Sequence, residues 1–172
     1  LGVDITYTHI CISYTFCYEI ATFFAFSASI CGAQRVLVAP EGLDKDGLIE
    51  TLVRMACRQC PRLDPAEVTA QVLEREKGIS TTLDTGLAIP HARVEGLDDF
   101  VAALAVLPVP VTEERHNKSI RVMFLFLSPD KPAFFQKHLQ VLAALAETFQ
   151  PGFIQELLTL NDPQAVAERL SR

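Results

Sequence analysis

The sequence has little basic charge and no run of basic residues. It carries 15 lysines and arginines against 21 aspartates and glutamates, a formal net charge of −6 over 172 residues. A surface that binds the phosphate backbone of nucleic acid, or an anionic membrane, needs clustered basic side chains. The composition therefore argues against both partners. The apolar fraction of 49% and the charged fraction of 21% are typical of a globular chain.

Motifs for cofactors and metals are also missing. No glycine-rich fingerprint of a nucleotide or dinucleotide site is present. Cys57 and Cys60 form a C-x-x-C, but no second pair completes a four-ligand zinc site. Redox pairs use a helix N-terminus to stabilise the thiolate, whereas this pair lies at the end of a predicted helix. We therefore predict a structural role for the pair, no metal and no cofactor.

The first 34 residues do not resemble the rest. Residues 10–33 are apolar and rich in hydroxyl groups, with Glu19 as the only charge, and their length is close to the roughly 20 residues that span a bilayer. The basic region of a cleavable signal peptide is missing. Three interpretations remain open: the end of a membrane region tethering the protein to the inner face of the membrane, a buried or partner-facing element, and a non-native extension. We predict a separate segment over 1–34 and one domain over 35–172.

The number of cysteines indicates the cellular compartment. There are five, at positions 11, 17, 31, 57 and 60. An odd number of cysteines in a chain without a clear cleavable signal favours reduced thiols. We therefore expect a cytoplasmic protein.

Strand-like and helix-like segments alternate from Ala33 onward. The predicted strands are 35–38, 86–89, 100–109 and 120–128, and the last is apolar enough to be a central strand covered on both faces. The predicted helices are 46–59, 65–76, 132–149, a short helix opening at 151, and 163–172. Asp64 and Asp162, each followed by proline, are typical helix caps. The pattern predicts a layered α/β/α sandwich around a mixed, mostly parallel sheet.

Two of the four histidines stand out. His9 lies in the N-terminal segment, and His116 stands among charged residues and turn formers, which predicts an exposed loop. His91 follows a strand-like run ended by Pro90, where loop residues of α/β folds meet the active face. His138 lies in an apolar helix, where a lone histidine is more often a core residue with a satisfied hydrogen bond.

Together with Arg75, at the end of the preceding helix, these two histidines suit phosphoryl transfer. A neutral imidazole is a competent nucleophile near neutral pH. A second imidazole can donate a hydrogen bond to an anion, and arginine offers a permanently charged fork that matches phosphate oxygens. A metal-dependent hydrolase built on His91 and His138 is less favoured, because no third ligand stands at metal-motif spacing beside either.

Two segments resemble a known family. The first contains Arg75-Glu76, then Ser80-Thr81-Thr82, then Gly86-Leu87-Ala88-Ile89-Pro90-His91. The second joins an apolar strand over 122–128 to the helix His138-Leu139-Gln140-Val141-Leu142-Ala143-Ala144-Leu145-Ala146. Both resemble the type 2 enzyme IIA (EIIA) domains, of the fructose/mannitol type, in the bacterial phosphotransferase system (PTS), including their nitrogen-regulatory relatives. The resemblance covers residues 35–172.

The resemblance implies a phosphotransferase component with a covalent phosphohistidine. His91 would accept a phosphoryl group from the histidine-containing phosphocarrier protein. It would pass the group to a cysteine of an EIIB partner in sugar transport, or hold it as a regulatory signal to a transporter or kinase. His138 would contact the phosphoryl group and Arg75 would neutralise its charge, with Thr81 lending a hydroxyl nearby. The resemblance implies no cofactor, and the group that the protein carries would be the transient phosphoryl group on His91.

The turn before His91 departs from the family pattern. Thr82 and Asp84 stand where the family usually has glycines, which permit positive φ and close approach of a phosphate. Asp84 also adds a negative charge that would oppose an anion. This departure supports a second hypothesis, a non-catalytic regulatory module that is nitrogen-regulatory-like or fused to a membrane transporter and acts by protein binding.

Overall fold

The computed structural model describes residues 32–38, 40, 42–58 and 60–172. The expectations for residues 1–31, including His9 and most of the apolar segment, lie outside the described residues and stay predictions. In the described ranges, no helix has the length and apolar character needed to cross a membrane.

One mixed sheet contains the five strands of the described chain. These are β1 (Val36–Val38), β2 (Leu87–Ala88), β3 (His91–Val94), β4 (Val101–Glu113) and β5 (Lys118–Pro129). β4 pairs antiparallel with β5 and parallel with β1, and β2 and β3 both run parallel to β5, one after the other along its other edge. Three of the four pairings are therefore parallel, and the predicted mixed, mostly parallel sheet is confirmed.

β5 is the central strand that its apolar run predicts. Val122, Phe124 and Phe126 pack into a core on one face of the sheet. Met123 and Leu125 alternate with them and pack into a second core on the other face. Since successive side chains of a strand point to opposite faces, a strand buried on both sides needs an uninterrupted apolar run.

The β4–β5 hairpin is longer than the predicted strands. The sequence predicted that this strand would end at 109. Pro108 and Pro110 lack the N–H that a ladder requires. The register of β4 against β5 shifts between Val106 and Val111, and the residues at 108–110 are exposed. The prolines therefore lie in a bulged, unpaired stretch, after which pairing resumes as far as Glu113.

Five helices cover the two faces of the sheet in the described chain. They are α1 (Lys45–Cys57), α2 (Pro65–Gly78), α3 (Phe135–Thr148), α4 (Pro151–Leu158) and α5 (Pro163–Leu170). The buried apolar residues of α1 and α2 belong to one core, and those of α3, α4 and α5 to the other, so the α/β/α sandwich is confirmed.

The helix ends follow local chemistry. The predicted caps Asp64 and Asp162 each accept a hydrogen bond from a backbone N–H of the first turn, both at 2.9 Å. The predicted helix over 132–149 is shorter, since its first three residues, Pro132–Phe134, form a 3₁₀ turn. The last helix ends at Leu170 rather than at Arg172.

Candidate functional site

His91 is the first residue of β3, and our prediction of a loop histidine beyond the end of a strand was wrong. Pro90 interrupts the strand pairing for only two residues, and its carbonyl accepts a hydrogen bond from the Phe126 N–H at 3.2 Å. The chain therefore continues along β5, with His91 beside Phe126. His91 is 5% exposed and held by an edge strand rather than by a loop.

The orientation of the His91 ring leaves one nitrogen for chemistry. Nδ1 lies 2.7 Å from the carbonyl oxygen of Ile89. Because a carbonyl oxygen only accepts, Nδ1 carries the proton and the lone pair of the neutral ring is on Nε2. The ring stacks on Phe126 at 5.4 Å between centroids. Burial lowers the pKa of His91, so the ring is neutral at pH 7 and Nε2 is a competent nucleophile.

His138 meets His91 from α3. The two ring centroids are 5.2 Å apart in an edge-on arrangement. The Nδ1 of His138 is 2.7 Å from the hydroxyl oxygen of Ser128 at the end of β5, which holds the ring in place. Burial, followed by the charges of His91 and Arg93, lowers the pKa of His138 to about 4. Two neutral imidazoles therefore stand side by side at neutral pH.

Arg75 reaches the same place from the last turn of α2. Its Nη1 donates to the carbonyl of Ile79 at 3.0 Å, and the side chain is exposed. His91, His138 and Arg75 all line one cleft of about 910 Å³ beside the edge strand β3. The structure thus brings together the three residues that sequence reasoning selected from α2, β3 and α3.

Sequence reasoning missed Arg93. It lines the same cleft, together with four polar or charged side chains: Gln71, Glu74, Glu95 and Asp130. Arg93 follows His91 by two positions in β3, so both point to the same face of the strand. That period of two was the available signal, but it required knowing that His91 lies in a strand.

Three residues of the turn before His91, namely Thr81, Thr82 and Asp84, lie apart from the cleft. The Thr81 hydroxyl donates to Glu76 at 2.6 Å, and Thr81 is not among the residues that line the cleft. Thr82 is buried beside Ala88, and Asp84 is exposed and paired with Lys118 at 3.0 Å. Gly86, with φ of 92°, is the residue of this turn that needs positive φ, so Thr82 and Asp84 cause no backbone strain.

If His91 carries the phosphoryl group that the family resemblance implies, Asp84→Gly should leave its phosphorylation unchanged within about twofold, because Asp84 is exposed and outside the cleft, where a charge acts weakly. Radiolabel incorporated per protein molecule, compared with the unmodified chain, measures this. A severalfold gain in label would show instead that the Asp84 charge acts on the phosphoryl group.

A buried ionic cluster lies behind the cleft. Lys45 Nζ is 2.8 Å from a carboxylate oxygen of Glu76 and 2.8 Å from one of Glu113. The Ser80 hydroxyl donates to Glu113 at 2.8 Å. Burial alone would raise the pKa of Glu113, but the hydrogen bonds from Lys45 and Ser80 lower it to about 2. The cluster joins α1, the end of α2 and the end of β4, and it anchors the residue next to Arg75.

The remaining candidates lie apart from the cleft. His116 is half exposed in the turn of the β4–β5 hairpin, with Nδ1 3.4 Å from Glu113. The predicted exposed loop is therefore confirmed. Cys57 is the last residue of α1, and burial, followed by the charge of Cys60, raises the pKa of its thiol to about 11. Such a thiol is unreactive at neutral pH. The described residues contain no group of three or more His, Cys, Asp or Glu side chains placed to hold a metal ion.

The chain is similar to known proteins over most of its length. Residues 29–172 match the family model of the phosphoenolpyruvate-dependent sugar phosphotransferase system, EIIA 2. A nitrogen regulatory protein of Pseudomonas aeruginosa is 27% identical over 125 residues, which is 72% of this chain and 80% of the relative.

Solved structures share the fold. The crystal structure of nitrogen regulatory protein IIA-Ntr from Neisseria meningitidis superposes with a TM-score of 0.74 at 28% identity, covering 83% of this chain and 97% of that one. Enzyme IIA of the mannitol system of Escherichia coli, solved in complex with phosphorylated enzyme IIB, gives 0.65 at 21% identity, covering 81% and 96%. On the family match and the cleft that pairs two histidines with an arginine, the chain belongs to the EIIA 2 family of the phosphoenolpyruvate-dependent sugar phosphotransferase system.

Proposed function

We propose that the protein is a phosphohistidine carrier and that His91 is the residue that carries the phosphoryl group. The observation that carries the proposal is the Nδ1 bond of His91 to Ile89, which leaves the lone pair on Nε2 at the wall of a cleft shared with His138 and Arg75. A nucleophile, a hydrogen-bond donor and a permanent cation are the parts that phosphoryl transfer needs.

In the proposed step, Nε2 of His91 attacks the phosphorus of a phosphohistidine on the histidine-containing phosphocarrier protein. The new P–N bond forms as the donor's P–N bond breaks, and the donor nitrogen keeps the bonding electron pair. Arg75 balances the negative charge of the transferred group. In the onward step, a thiolate of an EIIB partner attacks the same phosphorus and Nε2 recovers its lone pair.

Two uses of the phosphoryl group follow from the relatives. The sugar phosphotransferase family supports transfer to EIIB, and the complex of the mannitol enzyme IIA with IIB is an example of such a pairing in a protein of this fold. The nitrogen regulatory relatives support a regulatory use. For that use we propose a transporter or a kinase as the partner. We propose the cytoplasm as the location, where Cys57 and Cys60 would remain the free thiols that the structure contains.

Incubation with phosphoenolpyruvate, enzyme I and the phosphocarrier protein tests the proposal. We expect about one phosphoryl group per chain, labile to acid and stable to alkali as a phosphohistidine is, and located on His91 by mass spectrometry. Omitting the phosphocarrier protein is the control and should remove the label. If the complete mixture leaves the protein unlabelled, the carrier proposal fails and the non-catalytic binding module takes its place.

A further inference from the structure

Arg93 stands in the cleft with its charge already balanced. Its Nη2 is 2.7 Å from a carboxylate oxygen of Asp130, and its guanidinium lies 5.5 Å from the ring centroid of Phe135. The side chain remains 35% exposed and that of Asp130 43% exposed. Ion pairs this open to water are weak, so Arg93 can exchange its contact with Asp130 for another anion at little cost.

Arg93 is placed to reach a group on His91. The two residues lie on the same face of β3, and successive residues of a strand rise about 3.3 Å, so their Cα atoms are about 7 Å apart. An arginine side chain spans that separation. Its charge already acts at the cleft, since Arg93 is among the causes that lower the pKa of His138.

The charge of the cleft requires more than one cation when the phosphoryl group is present. The group adds about two negative charges. Arg75 and Arg93 are the cationic side chains among the described residues that line the cleft, against Glu74, Glu95 and Asp130. A phosphoryl group can accept two hydrogen bonds from a guanidinium, as a carboxylate can, and it carries a higher negative charge, so it competes well for Arg93.

We propose that Arg93 is a second phosphoryl-binding residue, held by Asp130 while His91 is free and transferred to the phosphoryl group when His91 is phosphorylated. This inference rests on the proposed carrier function, because it needs a phosphoryl group on His91. It differs from a structural role for the Arg93–Asp130 pair, which would not change the properties of the phosphate itself.

The ionisation of the phosphoryl group on the intact protein tests the inference. A nearby cation favours the dianion and lowers the second pKa of a phosphate, which is about 6 in other phosphorylated side chains. We expect Arg93→Gln to raise that pKa by about 0.5 to 1 unit in a ³¹P NMR titration of the phosphorylated protein. Arg93→Lys should restore part of the difference, because lysine keeps the charge but loses the fork.

Arg169→Gln is a matched control. Arg169 also pairs with a carboxylate, Glu156, at 2.6 Å, and lies over an aromatic ring, that of Phe153, at 4.7 Å, but it does not line the cleft. It should leave the phosphate pKa unchanged. Equal titration curves for Arg93→Gln, Arg169→Gln and the unmodified chain would overturn the inference.

Two phosphoryl donors separate this inference from the function on which it rests. Phosphoramidate phosphorylates histidine chemically, without a protein donor. If it labels His91 while phosphoenolpyruvate, enzyme I and the carrier protein do not, the carrier proposal fails and the titration still decides the role of Arg93. If neither donor labels His91, both are overturned.

Discussion

His91→Gln should abolish phosphorylation from phosphoenolpyruvate completely, whereas His138→Ala should slow it by about 10²-fold or more without abolishing it. The first change removes the nitrogen that forms the bond to phosphorus. The second removes one hydrogen-bond donor to the transferred group, and the loss of one such donor costs about 10²- to 10³-fold in comparable sites. Initial rates of label incorporation measure both effects.

His116→Gln is the control for this pair of variants. It removes an imidazole that is half exposed in the hairpin turn and does not line the cleft. Its rate should equal that of the unmodified protein. Label retained at full extent in His91→Gln would contradict the assignment. If His138→Ala, folded normally, also lost all label, the two histidines would act in reversed roles.

The rate should depend little on the titration of His91 between pH 7 and 8. Burial lowers the pKa of His91 below the ordinary value of 6.5, so the neutral nucleophile is the main form throughout that range. Suppose the rate rises steadily from pH 7 to 8 while the concentration of phosphorylated carrier protein is held constant. Then a protonated His91 must first lose its proton, contrary to this prediction.

Lys45→Met should destabilise the fold by about 3 to 5 kcal/mol in urea unfolding, the largest effect on stability that we expect from a single charged residue here. The side chains of Lys45, Glu76 and Glu113 are 13%, 6% and 7% exposed. Removing the lysine leaves two neighbouring buried carboxylates with no cation between them. The variant should therefore recover stability as the pH falls and one carboxylate is protonated.

Lys77→Met makes the same chemical change on the surface of α2. Lys77 pairs with Glu74 at 3.0 Å, but both side chains are more than 60% exposed, so the loss should be below about 1 kcal/mol. If the two variants unfold at the same urea concentration, the buried cluster contributes no more than an exposed pair.

The unmodified protein should lose stability in acid. The pKa of Glu113 is about 2 in the fold against an ordinary 4.5, so the unfolded chain binds the proton more tightly. The contribution of Glu113 is fully present above about pH 4.5 and disappears as the pH falls toward 2, up to about 3 kcal/mol. His138, with its pKa lowered from 6.5 to about 4, acts in the same direction between those values.

Most of the architecture could be predicted because its causes are local. The cap at Asp64, the proline that follows it and the apolar run of β5 depend on neighbouring residues. The end of β4 could not be predicted, because the two prolines are tolerated only where β4 itself bulges out of its pairing with β5. The strand position of His91 could not be predicted either. The pairing that continues the strand beyond Pro90 is with β5, more than 30 residues away in the sequence.

The sequence by itself determined which residue types and spacings are present, and Arg75, His91 and His138 follow from these and the family resemblance. Tertiary structure alone decided the free nitrogen of His91, the pairing of Arg93 with Asp130 and the burial of Lys45 between two glutamates. The pairs Arg93–Asp130 and Lys45–Glu113 join residues far apart in the chain. Their geometry and pKa values exist only once the sheet and helices exclude water around them.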